Sequence, residues 1–427
     1  MSENRLTVSR VKDVVVIGGG VAGLIAAREC AHIGLSVTIL EATDAVGGAV
    51  ASHEVAGLTL DSGAESFAVR RGSVADFIAG LGLTEQIVAP NPAGAWLCLP
   101  ADARSGRSSH EKSAGKSGGV FSVPMPKTGV LGIPASPLAD DVRRVIGWGG
   151  AWRAYLDRLM PVLKIGREHS LGEMVQKRMG RRVLERLVEP VASGVYSAAA
   201  GDLEVDVVAP GLNAALTTTG SLSGAVLALR SAAPAGSAVG GLRGGMTSLV
   251  TALVADLTHF GAEIVTNTTV SGLERAGTDE KPTWTITGVT VVPTDGLSSD
   301  DDAATAEMSA PATGAPAATT TLDARFVIVA TPGASALDLL APLGEDFAAL
   351  AALDWPAPTA VELATLIIDE SALDAEPRGT GVLVAAGTPG VGAKALTHVS
   401  AKWGWVAEAA GPGRHVLRLS YGRYNEP

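Results

Sequence analysis

The sequence predicts an α/β fold in which a dinucleotide-binding domain is assembled from separated stretches of chain. Three observations predict it. A buried strand, a glycine-rich turn and a helix follow one another near the N-terminus. A second glycine-rich unit leads into a helix near residue 247, and another buried strand covers residues 327–330. Because these pieces lie far apart in sequence, we expect other domains to be inserted between them.

The N-terminal unit is the strongest of the three. Residues 14–17 are apolar and mostly β-branched, which is typical of a buried parallel strand. Gly18, Gly20 and Gly23 then fill the pattern G-x-G-x-x-G, in which glycines allow a tight turn, approach of a pyrophosphate and close helix packing. Glu41 ends the next strand, where a carboxylate can accept both ribose hydroxyls. This order predicts a dinucleotide site. It argues against a secretory signal, since three consecutive glycines interrupt the apolar stretch.

A second pair of glycines, Gly47 and Gly48, follows the ribose carboxylate. It allows another stretch of backbone to approach the cofactor. This arrangement resembles the FAD-binding signature of the flavin amine oxidase superfamily. That signature usually carries an arginine shortly after the glycines, whereas this chain continues GGAVAS.

Composition limits the functional classes. The chain has 427 residues, 47% of them hydrophobic, which suffices for two or three domains. Its net charge of −11 argues against nucleic acid as a partner. No apolar run reaches the roughly 18 residues of a membrane span. Cys30 and Cys98 form no C-x-x-C pair and the histidines no ligand pattern, so we expect a reducing cytoplasm and no metal site.

Two polar, low-complexity segments interrupt readable structure. Residues 101–119 are rich in serine and glycine, and residues 293–321 in alanine, threonine and proline. Both are predicted to be disordered surface inserts. Without them, residues 96–99 and 120–123 would form neighbouring strands, as would residues 284–289 and 324–329.

Residues 138–190 are predicted to be largely helical. Ser170 and Glu173 form a capping box before apolar residues at helical spacing. Several basic residues lie among the apolar ones, and they predict either a solvated helix face or contact with a membrane surface or an anionic substrate. These residues are Lys177, Arg178, Arg181, Arg182 and Arg186.

The later pieces return to the first sheet. The glycine-rich residues 240–246 precede a predicted helix over residues 247–260, and Val270 lies in the segment expected to rejoin the sheet. Thr331, Pro332 and Gly333 turn the chain sharply at the carboxyl end of the strand over residues 327–330. That is the crevice position where ligands bind in a doubly wound sheet.

Several further segments carry a family resemblance. They are DSGAESF (61–67), PKTGVLGIPASP (126–137), EPVASGVY (189–196), SAKW (400–403) and VLRLSYGR (416–423). With the N-terminal unit they resemble the bacterial porphyrinogen oxidases, the branch of the flavin amine oxidase superfamily that acts in haem synthesis. The family carries a second flavin motif near its carboxyl end. This chain stops at Pro427, so the resemblance implies that it lacks that motif and has an incomplete flavin site.

The resemblance implies a discontinuous Rossmann-like FAD-binding domain with an inserted mixed-sheet substrate-binding domain and a helical domain. The expected FAD-binding domain comprises residues 1–75, 236–275 and 322–340. The substrate-binding domain comprises residues 76–137 and 341–427, and the helical domain residues 138–235.

The implied reaction is the six-electron oxidation of coproporphyrinogen III to coproporphyrin III, with FAD as cofactor and molecular oxygen as acceptor. Protoporphyrinogen IX oxidase, another flavin amine oxidase or desaturase, and an inactive truncated chain remain alternatives. The implied partners are the porphyrinogen and oxygen, with other haem-pathway enzymes left open. We expect a cytoplasmic protein, and peripheral contact with the inner face of the membrane also stays open.

The resemblance assigns roles residue by residue. Arg71 is expected to bind a carboxylate of the substrate, and no acid–base residue is predicted. The expected cofactor-binding residues are Gly18, Gly19, Gly20, Val21, Ala22, Gly23, Glu41, Ala42, Gly47, Gly48, Gly63, Ala64, Glu65, Ser66, Val270 and Trp403.

Overall fold

The computed structural model describes residues 11–69, 72–101, 119–127, 129–160, 168–232, 239–278, 281–291, 317–356 and 358–424. The described residues form 19 strands and 14 α-helices. The strands, in chain order, are β1 Lys12–Ile17, β2 Val37–Leu40, β3 Ser52–Val55, β4 Leu58–Asp61, β5 Phe67–Ala68, β6 Ile87–Val88, β7 Ala95–Pro100, β8 Val120–Pro124, β9 Gly129–Val130, β10 Ile133–Pro134, β11 Val239–Leu242, β12 Glu263–Val265, β13 Thr268–Thr278, β14 Lys281–Val291, β15 Ala317–Val329, β16 Glu362–Asp369, β17 Gly381–Val384, β18 Ala395–His398 and β19 Arg414–Tyr421.

The α-helices are joined in places by short 3₁₀ or π turns. In chain order they are α1 Val21–His32, α2 Ser73–Gly80, α3 Asp140–Tyr155, α4 Leu171–Met179, α5 Arg181–Val183, α6 Glu189–Val191, α7 Val205–Val208, α8 Leu212–Thr219, α9 Leu222–Ala232, α10 Thr247–His259, α11 Gly333–Leu340, α12 Glu345–Ala351, α13 Val399–Lys402 and α14 Gly404–Ala410.

The first sheet has six strands in the order β12-β2-β1-β15-β14-β13. Strands β12, β2, β1 and β15 are parallel, β14 pairs antiparallel with β15, and β13 pairs antiparallel with β14. Residues 14–17 of β1 are buried because the strand is paired on both edges and covered on both faces. Helices α1 and α10 pack together over one face. The sheet is therefore built from distant stretches of chain, as predicted.

A second six-stranded sheet has the order β16-β19-β18-β17-β7-β8. The β7–β17 pair is parallel and the others are antiparallel, so this sheet is mixed, as the resemblance implies. Strand β11, at the start of the glycine-rich stretch, forms a small sheet with β5 and β6. Gly240 of β11 pairs with Phe67 of β5, so the glycine-rich stretch lies beside the segment that follows β4.

Helices α3 to α9 share one apolar core, which includes Val145, Met174, Leu187 and Leu212. The predicted start of α4 is confirmed, because the Ser170 hydroxyl accepts a hydrogen bond from the Glu173 N–H at 3.2 Å. Within the described residues, no single helix has the length and apolarity to cross a membrane. The pair α8 and α9 passes that test jointly, with a bend of 116° between them.

The strands on either side of the expected inserts do pair. Leu97 of β7 lies opposite Val123 of β8, and Trp284 of β14 lies opposite Ala324 of β15. The boundary of the second insert was wrong: residues 317–321 belong to β15, because the ladder with β14 continues through Thr320. Residues 102–118 and 292–316 lie outside the described residues. The domain boundaries stay a prediction.

The basic residues of the helical region do not all share one solvated face. Lys177 and Arg181 have side chains that are 57% and 78% exposed. Arg178 is buried and forms an ion pair with the fully buried Asp157. Helical periodicity alone could not show this, because the burial of Arg178 depends on residues brought from other elements.

Candidate functional site

A cleft opens where the carboxyl ends of β1, β2 and β15 meet, as expected for a doubly wound sheet. Its volume is about 760 Å³. The lining consists of small, hydroxyl and apolar residues together with two acidic residues. These are Ile17, Gly18, Gly20, Leu40, Glu41, Ala42, Gly48, Ala49, Thr268, Thr269, Val270, Ser271, Ala330, Thr331, Pro332, Ser335, Asp338 and Leu339.

The three glycines of the first turn occupy different steric environments. A Cβ at Gly23 would lie 1.9 Å from the Gly18 carbonyl oxygen, so this position is required for close packing. Gly18 has φ +105°, and a Cβ there would lie 2.7 Å from the Ala330 oxygen. At Gly20 a Cβ would meet nothing within 4 Å, so this glycine borders open space in the cleft.

Helix α1 begins at the edge of this cleft. Gly20 precedes it, and no side chain caps the helix or places an acid in its first turn. The N–H groups of the first turn, including those of Val21 and Ala22, have no partners within the helix and carry its partial positive charge. The arrangement suits an anionic group such as a pyrophosphate.

Glu41 ends β2 as predicted, and protein donors orient its carboxylate. Oε2 accepts from the Gly19 N–H at 2.7 Å, and Oε1 accepts from the N–H and the hydroxyl of Thr43 at 2.9 and 2.8 Å. A carboxylate offers about four acceptor positions, so acceptor capacity remains for ligand hydroxyls.

The second glycine pair lies directly against the first turn. The Gly47 N–H donates to the Gly19 oxygen at 2.9 Å, and Gly47 and Gly48 have φ values of +120° and +59°. A Cβ at Gly48 would lie 3.2 Å from the Gly20 Cα. The two glycine-rich stretches therefore approach each other at the cleft, and the expected approach of Gly47 and Gly48 to the cofactor stays a prediction.

The polar groups of the cleft suit a dinucleotide. The buried hydroxyl of Thr331 has no hydrogen-bond partner within the described part of the chain, so it is available to a ligand. The lining residues that the structure describes include no lysine or arginine, in keeping with the sequence GGAVAS after the second glycine pair. Backbone N–H groups for phosphates, Glu41 for a ribose and Thr331 as a further polar group fit such a molecule.

The turn over residues 63–66 lies beside the cleft rather than in its lining. The Ala64 N–H donates to the oxygen of Ala49, a lining residue, at 2.8 Å. A Cβ at Gly63 would lie 2.1 Å from the same oxygen. The Glu65 carboxylate accepts from the Lys402 ammonium group at 2.5 Å, and Ser66 completes the turn before β5.

Trp403 is only 3% exposed and packs against β11. A Cβ at Gly241 would lie 2.8 Å from its Cη2 atom. With Asp61, Glu65 and Arg418 it lines a small cavity of about 10 Å³, separate from the larger cleft. Its expected contact with a flavin stays a prediction, as do the ligand contacts of the other expected cofactor-binding residues. Arg71 lies outside the described residues.

Several cleft residues were missed by the sequence reasoning. Thr268, Thr269 and Ser271 flank Val270 at the start of β13, and Ser335, Asp338 and Leu339 belong to α11. The sharp turn predicted at Thr331 was the signal that could have identified them, because residues that follow a parallel strand at its carboxyl end face the crevice.

A buried lysine was also missed. Lys394 is 1% exposed, and its ammonium group donates to the Ser197 hydroxyl and the Gly422 oxygen, each at 2.6 Å. Burial lowers the pKa of Lys394, and the charge of Arg423 lowers it further. Lys394, which directly precedes β18, therefore connects this strand to Ser197 in the segment that follows α6.

Asp61, at the end of β4, provides a pH-dependent signature. Burial raises its pKa to about 6, with a further contribution from the charge of Glu65, although the Met246 N–H donates to it. The unfolded carboxyl titrates near 3.8, so the folded protein binds the extra proton between these values. Asp61 therefore lowers stability above pH 6, and this penalty disappears as the pH falls toward 4.

Asp61→Asn removes the charge and keeps an oxygen that can accept from Met246. We expect the variant to melt above the wild type near about pH 7.5, with a difference that shrinks toward about pH 4. Thermal unfolding of both proteins across this range measures the effect. A melting difference independent of pH would show that Asp61 does not titrate in this way.

Comparison with known proteins adds to this geometry. A family described as flavin containing amine oxidoreductase matches residues 21–365. A coproporphyrinogen III oxidase of Mycobacterium leprae (strain TN) is 29% identical over 420 residues, which are 96% of this chain and 77% of that protein. A coproporphyrinogen III oxidase of Propionibacterium freudenreichii subsp. freudenreichii is 28% identical over 297 residues, 62% of this chain and 53% of that protein.

The fold is also similar to solved structures. The crystal structure of a proposed protoporphyrinogen oxidase from Exiguobacterium sp. 255-15 superposes with a TM-score of 0.70 at 24% identity, over 97% of this chain and 78% of that one. At this identity the likeness concerns the fold. The match to the P. freudenreichii protein spans about half of that relative's length.

Proposed function

The chain belongs to the family of flavin containing amine oxidoreductases, and on that basis we propose that it binds FAD and oxidises coproporphyrinogen III to coproporphyrin III, with molecular oxygen as acceptor. The observation that carries the proposal is the similarity to the M. leprae coproporphyrinogen III oxidase over 96% of this chain. The glycine-lined cleft supports the cofactor, since its backbone and acceptor groups suit a dinucleotide.

The residues that would hold FAD follow from the cleft. The first turn of α1 would donate to the pyrophosphate, with Gly20 and Gly48 leaving room for it. Glu41, oriented by Gly19 and Thr43, would accept from the ribose hydroxyls. The Val270 backbone would border the adenine. No basic side chain within the described lining shares the phosphate charge, so backbone donors carry it.

When bound, FAD would supply the two-electron redox chemistry, and molecular oxygen is the proposed final acceptor. The balance is one porphyrinogen and three oxygen molecules giving one porphyrin and three hydrogen peroxide molecules. The chain's own residues would bind and orient the reactants. We propose that Arg71 binds one of the substrate's carboxylates, because a guanidinium can form two hydrogen bonds with a carboxylate.

We further propose that the protein acts in the cytoplasm. The two cysteines, Cys30 and Cys98, are both free thiols, which supports a reducing compartment. Burial raises the pKa of each thiol, so neither is activated as a nucleophile.

One experiment tests the proposed reaction. The purified chain is saturated with FAD and supplied in air with coproporphyrinogen III or protoporphyrinogen IX, while porphyrin fluorescence and hydrogen peroxide are recorded. We expect coproporphyrin and three peroxide molecules for each porphyrin formed. Protein that binds FAD but oxidises neither substrate would overturn the reaction, and faster turnover of protoporphyrinogen would overturn the substrate. Protein that binds no FAD would overturn the cofactor.

A further inference from the structure

We propose that Lys402 is a positioning residue for the flavin: it holds Glu65, and through Glu65 the turn over residues 63–66, against the wall of the dinucleotide cleft. The inference rests on the proposed binding of FAD. It assigns a role to the lysine of the SAKW segment, which lies on α13, far in sequence from the glycine-rich turns.

The contact is direct and partly buried. The Lys402 ammonium group lies 2.5 Å from Glu65 Oε1, and the two side chains are 18% and 11% exposed. Among the described residues, this is the hydrogen bond that the Glu65 carboxylate accepts. Arg418 Nη2 lies 2.9 Å from Glu65 Oε2, but this oxygen has no hydrogen-bond partner among the described residues. Arg418 is thus a charge partner, and Lys402 is the donor that orients the carboxylate.

The other donors of Arg418 are directed at the backbone of the same stretch. Its Nη1 donates to the oxygens of Asp61 and Gly63 at 3.2 and 3.1 Å. The residue lies on β19 of the second sheet. Lys402 of α13 and Arg418 of β19 therefore connect helix α13 and the second sheet to the segment between β4 and β5. That segment contacts the wall of the cleft.

Movement of the segment between β4 and β5 would displace the wall of the cleft. Ala64 donates to the Ala49 oxygen, and Gly63 approaches that oxygen too closely for any side chain. Ala49 itself lines the cleft, directly after Gly48. The chain of contacts from Lys402 through Glu65 and Ala64 to Ala49 is continuous, and each step is a hydrogen bond or a covalent neighbour.

The charges explain why Lys402 is needed. Asp61 and Glu65 are both acidic and lie close enough for the charge of Glu65 to raise the pKa of Asp61. A carboxylate that is removed from water must be paired, or it takes up a proton or moves toward solvent. Without Lys402, Glu65 would retain Arg418 at a poor angle. Lys402 lines neither the large cleft nor the small cavity, so its role is positioning and not catalysis.

FAD titration of the flavin-free protein tests the proposal without depending on turnover. We expect Lys402→Met to raise the dissociation constant for FAD about tenfold or more, as for loss of a charge-assisted hydrogen bond. We expect Lys402→Arg to restore most of the affinity and the absorption spectrum of the bound flavin. The double variant Lys402→Met with Glu65→Gln should bind more tightly than Lys402→Met alone, because the neutral amide does not need the second charged partner that Lys402 supplies to the carboxylate.

A matched control is the ion pair between Arg243 and Glu408, which joins the turn after β11 to α14 at the surface. Arg243→Met breaks this pair and should leave FAD affinity unchanged. Equal FAD affinity of wild type and Lys402→Met would overturn the proposal, as would a wild type that binds no FAD. If FAD binding follows the expected series while no porphyrinogen is oxidised, the proposed reaction fails and the role of Lys402 stands.

Discussion

Gly23→Ala is expected to lower the free energy of unfolding by about 3 kcal/mol or more and to abolish flavin binding. The new Cβ would lie 1.9 Å from the Gly18 oxygen and 3.3 Å from the Ala330 side chain. Gly18 and Ala330 directly follow β1 and β15, the paired central strands of the first sheet, so their backbone cannot yield locally. Helix α1 would have to move away from the sheet.

Gly20→Ala in the same turn separates packing from ligand approach. Its Cβ would meet nothing within 4 Å, and Gly20 has φ −65°, which alanine adopts freely. We expect the free energy of unfolding to fall by no more than about 1 kcal/mol, because alanine is less favourable than glycine at an N-cap position. FAD affinity should nevertheless fall at least about tenfold, because the methyl group occupies the cleft.

Denaturant unfolding and FAD titration of both glycine variants provide the measurement. Unchanged stability of Gly23→Ala would contradict the packing explanation. Unchanged FAD affinity of a stable Gly20→Ala would show that the cofactor does not lie against this glycine, even if FAD binds elsewhere on the chain.

Arg178→Met is expected to destabilise the helical region by about 3–5 kcal/mol, the range for breaking a buried ion pair from one side. Arg178 Nε donates to Asp157 Oδ1 at 2.5 Å, and Nη2 donates to three backbone oxygens. Asp157 is fully buried, and among the described residues its carboxylate would keep hydrogen bonds from Ser223 alone. A methionine of similar length fills the space but satisfies none of these acceptors.

Arg181→Met is the matched control, three residues along the chain. Arg181 pairs with Glu185 at the surface, where water screens the interaction, so we expect no measurable change in unfolding. Urea unfolding followed by far-UV circular dichroism compares the two variants. Coincident unfolding curves for Arg178→Met and wild type would show that the buried pair adds nothing to stability.

The helical region shows where sequence reasoning reached its limit. Ser170 and Glu173 predicted the start of α4 correctly, because capping depends on residues three apart in the chain. The same periodicity could not distinguish Arg178 from Arg181. Arg178 is buried because Asp157, Met160 and Gly220 converge on it from other turns. Residues 317–321 likewise belong to β15 because they pair with β14. Their amino-acid composition resembles that of the preceding low-complexity segment, so the sequence did not indicate a strand there.

The amino-acid sequence alone determined the strand, glycine turn, helix and carboxylate of the first unit, because short-range sterics and hydrogen bonds specify each of them. It also predicted that distant strands rejoin one sheet, and its motifs carried the family resemblance. Only the tertiary structure decided which polar residues meet. Thr331 and Thr268 come together at the cleft, and Lys402 pairs with Glu65 across 337 positions. Such contacts depend on how whole elements pack, and no local pattern encodes them.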